Sequence, residues 1–365
     1  MDIECTVEKI KNAVLLAERM TGKNLSLPIL HSLFLSTTGK SIRIRSTNLA
    51  VGVDIEIPAQ VKKEGEVSIN GATLSNVFGN LEDDTVVVLR QEGEHLLLQT
   101  EHTKTIINTF PLEEFPTLPV VEGESFTIEA ATFAEGIRSV YFCAATTEIK
   151  PEIASIFIYA EQQTLFFVAT DSFRLAEKKI KIKGLSDISK ILIPYKNSAD
   201  LLRVLDSLSG EVVIMFNKNQ LSLFGGGIYF TTRLIDGAFP DYRLILPKEE
   251  ETKVVLIKQE LLSTLRLSNV FSDKFSHVLF SVSPTIKKVL LSARNTDVGS
   301  NESSVDAVIE GEAIEVSFNL KYFIDVFQAL QGDSVALLFT KVNKPILVKS
   351  VQDTSFLYLL VPTNR

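Results

Sequence analysis

An α+β chain made of three copies of one domain is what this sequence predicts, and three observations predict it. Runs such as "SIRIRST", "TVVVLRQ", "TLFFVAT", "EVVIMF" and "FLYLLVP" read as strands, because β-branched and aromatic residues stand between clusters of Gly, Asn, Asp and Ser. Helical patterns, with apolar residues three and four apart, are fewer and shorter. Six are expected, near 7–20, 72–80, 132–142, 196–206, 258–269 and 320–330. The third observation is self-similarity at a long period, the mark of a repeat architecture.

Three segments overlay in chain order. "LHSLFLSTTGKSIRIRSTNLAVGVDIEI", "IASIFIYAEQQTLFFVATDSFRLAEKKIKI" and "HVLFSVSPTIKKVLLSARNTDVGSNESSVDAVI" each give a strand, a tight turn, a strand ending in a polar pair, and another strand. Asn48, Asp171 and Asn295 occupy one place, at spacings of 123 and 124 residues. Next, "EVSINGATLSNVF", "KILIPYKNSADLL" and "EVSFNLKYFIDVF" each run a strand into a helix, with Ile69, Ile193 and Phe318 spaced by 124 and 125. "EFPTLP" matches "AFPDYR", Pro116 and Pro240 being 124 apart. Domain boundaries follow at 1–122, 123–248 and 249–365, each of ordinary single-domain size.

Two helices per domain, backed by a sheet, place helices on one face and strands on the other. In "YKNSADLLRVLD", Lys196, Asp200 and Arg203 form the polar stripe, and Leu201, Leu202 and Leu205 turn to the sheet. In "LKYFIDVFQAL" the polar stripe is Lys321, Asp325 and Gln328. The six helices carry nine Lys and Arg against seven acids, in a chain whose net charge is −8. Such faces tolerate phosphates without gripping them.

Composition excludes several classes. At 45% apolar residues the chain of 365 can bury sizeable cores, and a net charge of −8 argues against wholesale coating by nucleic acid. No run reaches the apolar length of a membrane span, and the charged start "MDIECTVEKIKNAVLLAERM" does not read as a signal peptide, so a cytoplasmic protein is expected. Cys5 and Cys143 lack metal or redox spacing and read as buried thiols. The four histidines, His31, His95, His102 and His277, lack the helical spacing and acidic partner of a metal site. "LFGGGIYF" lies between two strands and reads as a β-turn, where a phosphate loop would lead into a helix. With no nucleophile elbow or Cys–His arrangement, no catalytic residue, cofactor or metal is expected.

The motifs "LPIL" at 27–30, "ATDSFRLA" at 169–176, "DGAFPDYRLILP" at 236–247 and "LLVPTNR" at 359–365, in register on a threefold repeat, resemble the β sliding clamps of bacterial replicative DNA polymerases. The resemblance covers the whole chain. It implies a DNA clamp fold in which two subunits close head to tail into a ring, helices on its inner face and sheets on its outer face, around double-stranded DNA held without sequence preference. It implies a partner cleft where short linear peptides of the polymerase, the clamp loader and repair proteins dock. By motif match that cleft takes Ile153, Thr170, Ser172, Phe173, Arg174, Leu175, Pro240, Leu244, Ile245, Asn319, Tyr322, Leu359, Val361, Pro362 and Thr363. Leu244 stands where the family often has arginine, and Thr363 where it has Met or Leu, which points to a different partner preference. DNA-facing positions by the same match are Lys23, Asn24, Lys196, Lys274 and Phe275, and a homodimer contact would join Ile107 to Arg266 and Leu267. The competing reading is a self-associating peptide-binding scaffold that encircles nothing.

Overall fold

The computed structural model describes residues 1–22, 27–112, 115–247, 249–341 and 343–363. All six expected helices form: α1 (Val7–Glu18), α2 (Gly71–Gly79), α3 (Ala130–Tyr141), α4 (Tyr195–Asp206), α5 (Lys258–Val270) and α6 (Leu320–Asp325). The last continues as a 3-10 turn, Val326–Gln328. Asn70 and Asn319 cap α2 and α6, each side-chain oxygen accepting from the amide three residues on. α1 has no such cap, and its first amides, Val7 and Glu8, donate to the carbonyls of Thr85 and Asp83. In α4 the stripes fall largely as expected: Leu201, Val204 and Leu205 are buried and Leu202 half-buried, while Lys196 and Arg203 are exposed. A Cβ on Gly136 would lie 2.3 Å from the Phe167 ring. Glycine therefore admits that ring against α3, at a cost to helix propensity of about 1 kcal/mol.

Twenty-five strands accompany the helices among the described residues. By contacts the chain forms two compact units, one of Met1–Ala134 with Lys196–Leu234, the other of Glu135–Tyr195 with Ile235–Arg365. The middle repeat is thus divided, and strand pairing explains why. In the first unit, Ile228–Arg233 of the middle repeat pairs antiparallel with Val51–Pro58 of the first, within a run of 13 hydrogen-bonded strands. In the second unit, Arg174–Lys181 pairs antiparallel with Phe356–Leu360, within a run of 12. Pairing across a repeat boundary is as regular as pairing within a repeat.

The polar residue that marks each repeat accepts from the turn's backbone, and in the first two repeats the turn is the same. Asn48 Oδ1 accepts from the amides of Ala50 and Val51, Asp171 Oδ1 from those of Phe173 and Arg174, and Asn295 Oδ1 from that of Asp297. Each side chain supplies the turn with bonds the backbone would otherwise lack. "LFGGGIYF" is a hairpin turn, Gly226 and Gly227 having φ of 55° and 78°, the conformation of a two-residue type I′ loop.

The strand Lys104–Phe110 corrects one expectation. Its alternation turns Ile107 inward at 6% exposure, opposite Leu96, and leaves Ile106 outward at 62%. It pairs with His95–Gln99 along its length and with Glu66–Asn70 at its end. Both cysteines are buried free thiols, and burial pushes Cys5 up to about 11 and Cys143 well above its ordinary value. Among the described residues no helix is long and apolar enough to cross a membrane, and no group of three or more His, Cys, Asp or Glu is placed to hold a metal ion.

Candidate functional site

The second unit brings most of the expected cleft residues onto one wall. The strand Thr164–Thr170 ends in the Asp171 turn, which puts Ser172 at φ 79°. Thr170 Oγ1 locks the turn by donating to the Arg174 carbonyl at 2.7 Å and accepting from the Ser172 amide at 3.1 Å. A non-glycine residue in that region is strained by Cβ contacts, and here the turn's own bonds hold it. Phe173, at the tip, is 59% exposed, its ring centroid 6.5 Å from that of Tyr322.

Arg174 points the other way and anchors the turn. Its Nε donates to Asp171 Oδ2 at 2.9 Å and its Nη1 to Asp325 Oδ2 at 2.6 Å. The guanidinium carbon lies 4.3 Å from the Tyr322 ring centroid, a cation–π contact. Tyr322 is fixed in turn, since its carbonyl accepts from the Tyr358 hydroxyl at 2.7 Å and its amide donates to Asn319. Burial, and then the Asp171 carboxylate, pushes the Tyr322 phenol above its ordinary range, keeping it neutral. Asp325, Asp171 and Tyr358 thus belong to the site although motif matching passed them over. Asp325 was visible on the polar stripe of its helix and Asp171 as the repeat marker, but a long-range partner leaves no local signal.

Three strands' ends complete the wall. Leu175 lies opposite Leu359, the Val361 amide donates to the Phe173 carbonyl at 2.9 Å, and the Thr363 amide donates to Ser317 at 2.8 Å. Pro362 sits half-buried between them. Leu175 and Leu359, each 1% exposed, form the floor and not the accessible lining, in one apolar cluster with Val168, Tyr242 and Leu347. Pro240, Leu244 and Ile245 are exposed around the 3-10 turn Tyr242–Ile245, which Tyr242 anchors through the hydroxyl of Tyr159 and the carboxylate of Glu177. Ile153 is buried and ties by its backbone to Lys150 and Ala145. The arrangement offers exposed apolar groups over a rigid floor, with fixed polar groups beside them, the composition of a peptide groove.

The other expected residues lie elsewhere. Lys23 and Asn24 fall outside the described residues. Lys196 is exposed at the start of α4 in the first unit. In the loop after α5, Lys274 Nζ sits 5.0 Å from the ring centroid of exposed Phe275. Asp273 braces that loop by accepting from the Phe275 and His277 amides and from the His277 ring. Slight burial opposes its charge, but the bonds from His277 outweigh this and hold the Asp273 carboxyl below its ordinary range. Arg266 and Leu267 are exposed on α5, beside exposed Val270.

Comparison with known proteins supplies a family. Residues 1–119, 127–241 and 243–364 match, in order, the family models for the N-terminal, central and C-terminal domains of the DNA polymerase III beta subunit. The chain is 28% identical over 349 residues to the beta sliding clamp of Proteus mirabilis, covering 93% of this chain and 94% of that one. It is 24% identical to that of Synechococcus elongatus, over 99% of both. Among solved structures, the DNA polymerase III beta subunit of Pseudomonas aeruginosa superposes with a TM-score of 0.94 at 23% identity, over 100% of both chains. That of Thermotoga maritima does so with 0.93 at 24%, over 100% of this chain and 99% of the other. A further Pseudomonas aeruginosa sliding clamp, bound to griselimycin, matches with 0.95 at 23%, over 100% of both.

Proposed function

Because this chain belongs to the DNA polymerase III beta subunit family, we propose that it works as a sliding clamp, a non-catalytic subunit that encircles duplex DNA as a head-to-tail dimer and tethers the replicative polymerase. The observation that carries this reading is the succession of all three family domains along one chain. The domain boundaries of this reading are 1–122, 123–248 and 249–365, and the clamp acts in the cytoplasm. Polymerase, loader and repair proteins dock short peptides on the wall of Phe173, Pro240, Leu244, Ile245, Tyr322, Val361 and Pro362, above the floor of Leu175 and Leu359. The locked turn, which holds Phe173 outward over that buried floor, supports this assignment. DNA passes Lys196 and Lys274, with Phe275 beside Lys274, and the lysines make phosphate contacts that carry no sequence information.

In the dimer, exposed Ile106 takes the place expected for Ile107, facing Arg266 and Leu267 of the second copy. An Ile106→Asp variant should sediment as a folded monomer; a persisting dimer would remove this strand from the interface. The test of function is topological. Loaded by an ATP-driven loader onto a closed DNA circle, the protein should resist high salt and then slide off once the circle is cut, because counterion release weakens contacts but cannot open a ring. A scaffold that encircles nothing would show no difference between circle and linear DNA.

A further inference from the structure

The turn that walls the cleft has a twin in the first unit. Asn48 Oδ1 accepts from the Ala50 and Val51 amides at 2.9 Å, as Asp171 Oδ1 does from Phe173 and Arg174 at 3.0 Å. Thr47 Oγ1 donates to the Val51 carbonyl at 2.8 Å where Thr170 Oγ1 donates to that of Arg174 at 2.7 Å. Leu49 has φ 72° where Ser172 has 79°. The Arg233 amide donates to the Ala50 carbonyl at 2.9 Å, as the Val361 amide does to Phe173. "FPTLP" at 115–119 stands where "FPDYR" stands at 239–243.

A recess of about 130 Å³ opens beside this first turn, with Leu49, Val51, Pro116 and Leu118 among its lining. Two further lining residues point to an occupant. Thr231 is 3% exposed, yet its Oγ1 has no hydrogen-bond partner. Buried hydroxyls are paired in most native proteins, so an unpaired one on a residue that lines a recess marks a place for an incoming polar group. Arg233 is exposed at the rim, and among the described residues it makes no ion pair and no acid lines the recess.

We propose that this recess is a second docking site, which takes one aliphatic side chain of an extended acidic peptide from a partner protein. The peptide backbone would pair with the Thr231 hydroxyl, and an adjacent carboxylate would meet Arg233. The inference rests on the proposed cleft for its architecture alone, since its polar groups are its own. It calls for a peptide of opposite charge to Arg233, and the volume limits the anchor to a leucine-sized group.

The experiment is a titration of methyl-labelled full-length protein with the N-acetylated, C-amidated tetrapeptide Glu-Leu-Glu-Leu, followed by NMR. Saturable shifts are expected for the methyls of Leu49, Val51 and Leu118, and they should survive removal of residues 361–365. Arg233→Glu should raise the dissociation constant about tenfold, and Thr231→Val about fivefold. Absence of saturable shifts at those methyls would overturn the proposal, and so would affinities unchanged in both variants. If a variant fails to fold, the wild-type titration decides alone. Leu359 methyls report the other cleft separately, so either site can fail without the other.

Discussion

The turn at Thr47–Gly52 and the turn at Thr170–Leu175 share a backbone and differ in what lies beneath it. In both, an Asn or Asp and a Thr fix the path of the chain. Under the second, Arg174 is drawn in by Asp171, Asp325 and the Tyr322 ring, and Leu175 closes the floor. Under the first, Val51 is a plain buried aliphatic and Gly52 takes the place of Leu175. A Cβ there would lie 2.4 Å from Leu118 Cδ2, so Leu118 occupies the space that Leu175 fills in the other turn. The lesson is that the first two repeats share the backbone geometry of the turn while the side chains below it differ.

The largest expected break in this comparison is removal of residues 361–365. It strips the Val361–Phe173 bond from the second turn, and the Thr363–Ser317 bond beside it. A polymerase-derived peptide should no longer bind in calorimetry, while sedimentation still reports a dimer. Unchanged affinity would mean that the second turn is core and no groove. Next comes Arg174→Ala, which leaves Asp171 and Asp325 without their cation and should cost about 3–5 kcal/mol in urea unfolding. Its counterpart Val51→Ala should cost about 2 kcal/mol. Equal costs would show that the ion pairs do not distinguish the two turns. The smallest effect is expected for Asn48→Ala, about 1 kcal/mol, the usual loss when a side-chain acceptor for backbone amides is removed. Asp171→Ala should exceed it, because Asp171 also holds Arg174.

What was legible in the sequence was local or periodic. Apolar spacing located all six helices, and the repeat marked Asn48 and Asp171 before their common turn was visible. The two adjacent isoleucines of "TIIN" defeated the reading of Ile107, because strand alternation decides that one faces in but only the pairing with Leu96 decides which. Leu175 and Leu359 carried the right motif, but their burial depends on strands far away in the chain. The division of the middle repeat between two units was equally hidden, since it follows from pairings between Val51–Pro58 and Ile228–Arg233 and between Arg174–Lys181 and Phe356–Leu360. The unpaired hydroxyl of Thr231 has no sequence signature at all.

The burial of Cys5 and Cys143 makes the molecule chemically quiet towards thiol reagents. With its thiol pushed up to about 11, Cys5 holds only about one part in ten thousand as thiolate at pH 7, and burial pushes Cys143 in the same direction. The chain also contains no tryptophan. A cysteine introduced by Phe173→Cys would therefore take a maleimide dye against a silent background, and a tryptophan introduced by Leu49→Trp would be the only indole to fluoresce. The two turns can thus be watched separately, by two colours, in one otherwise native protein.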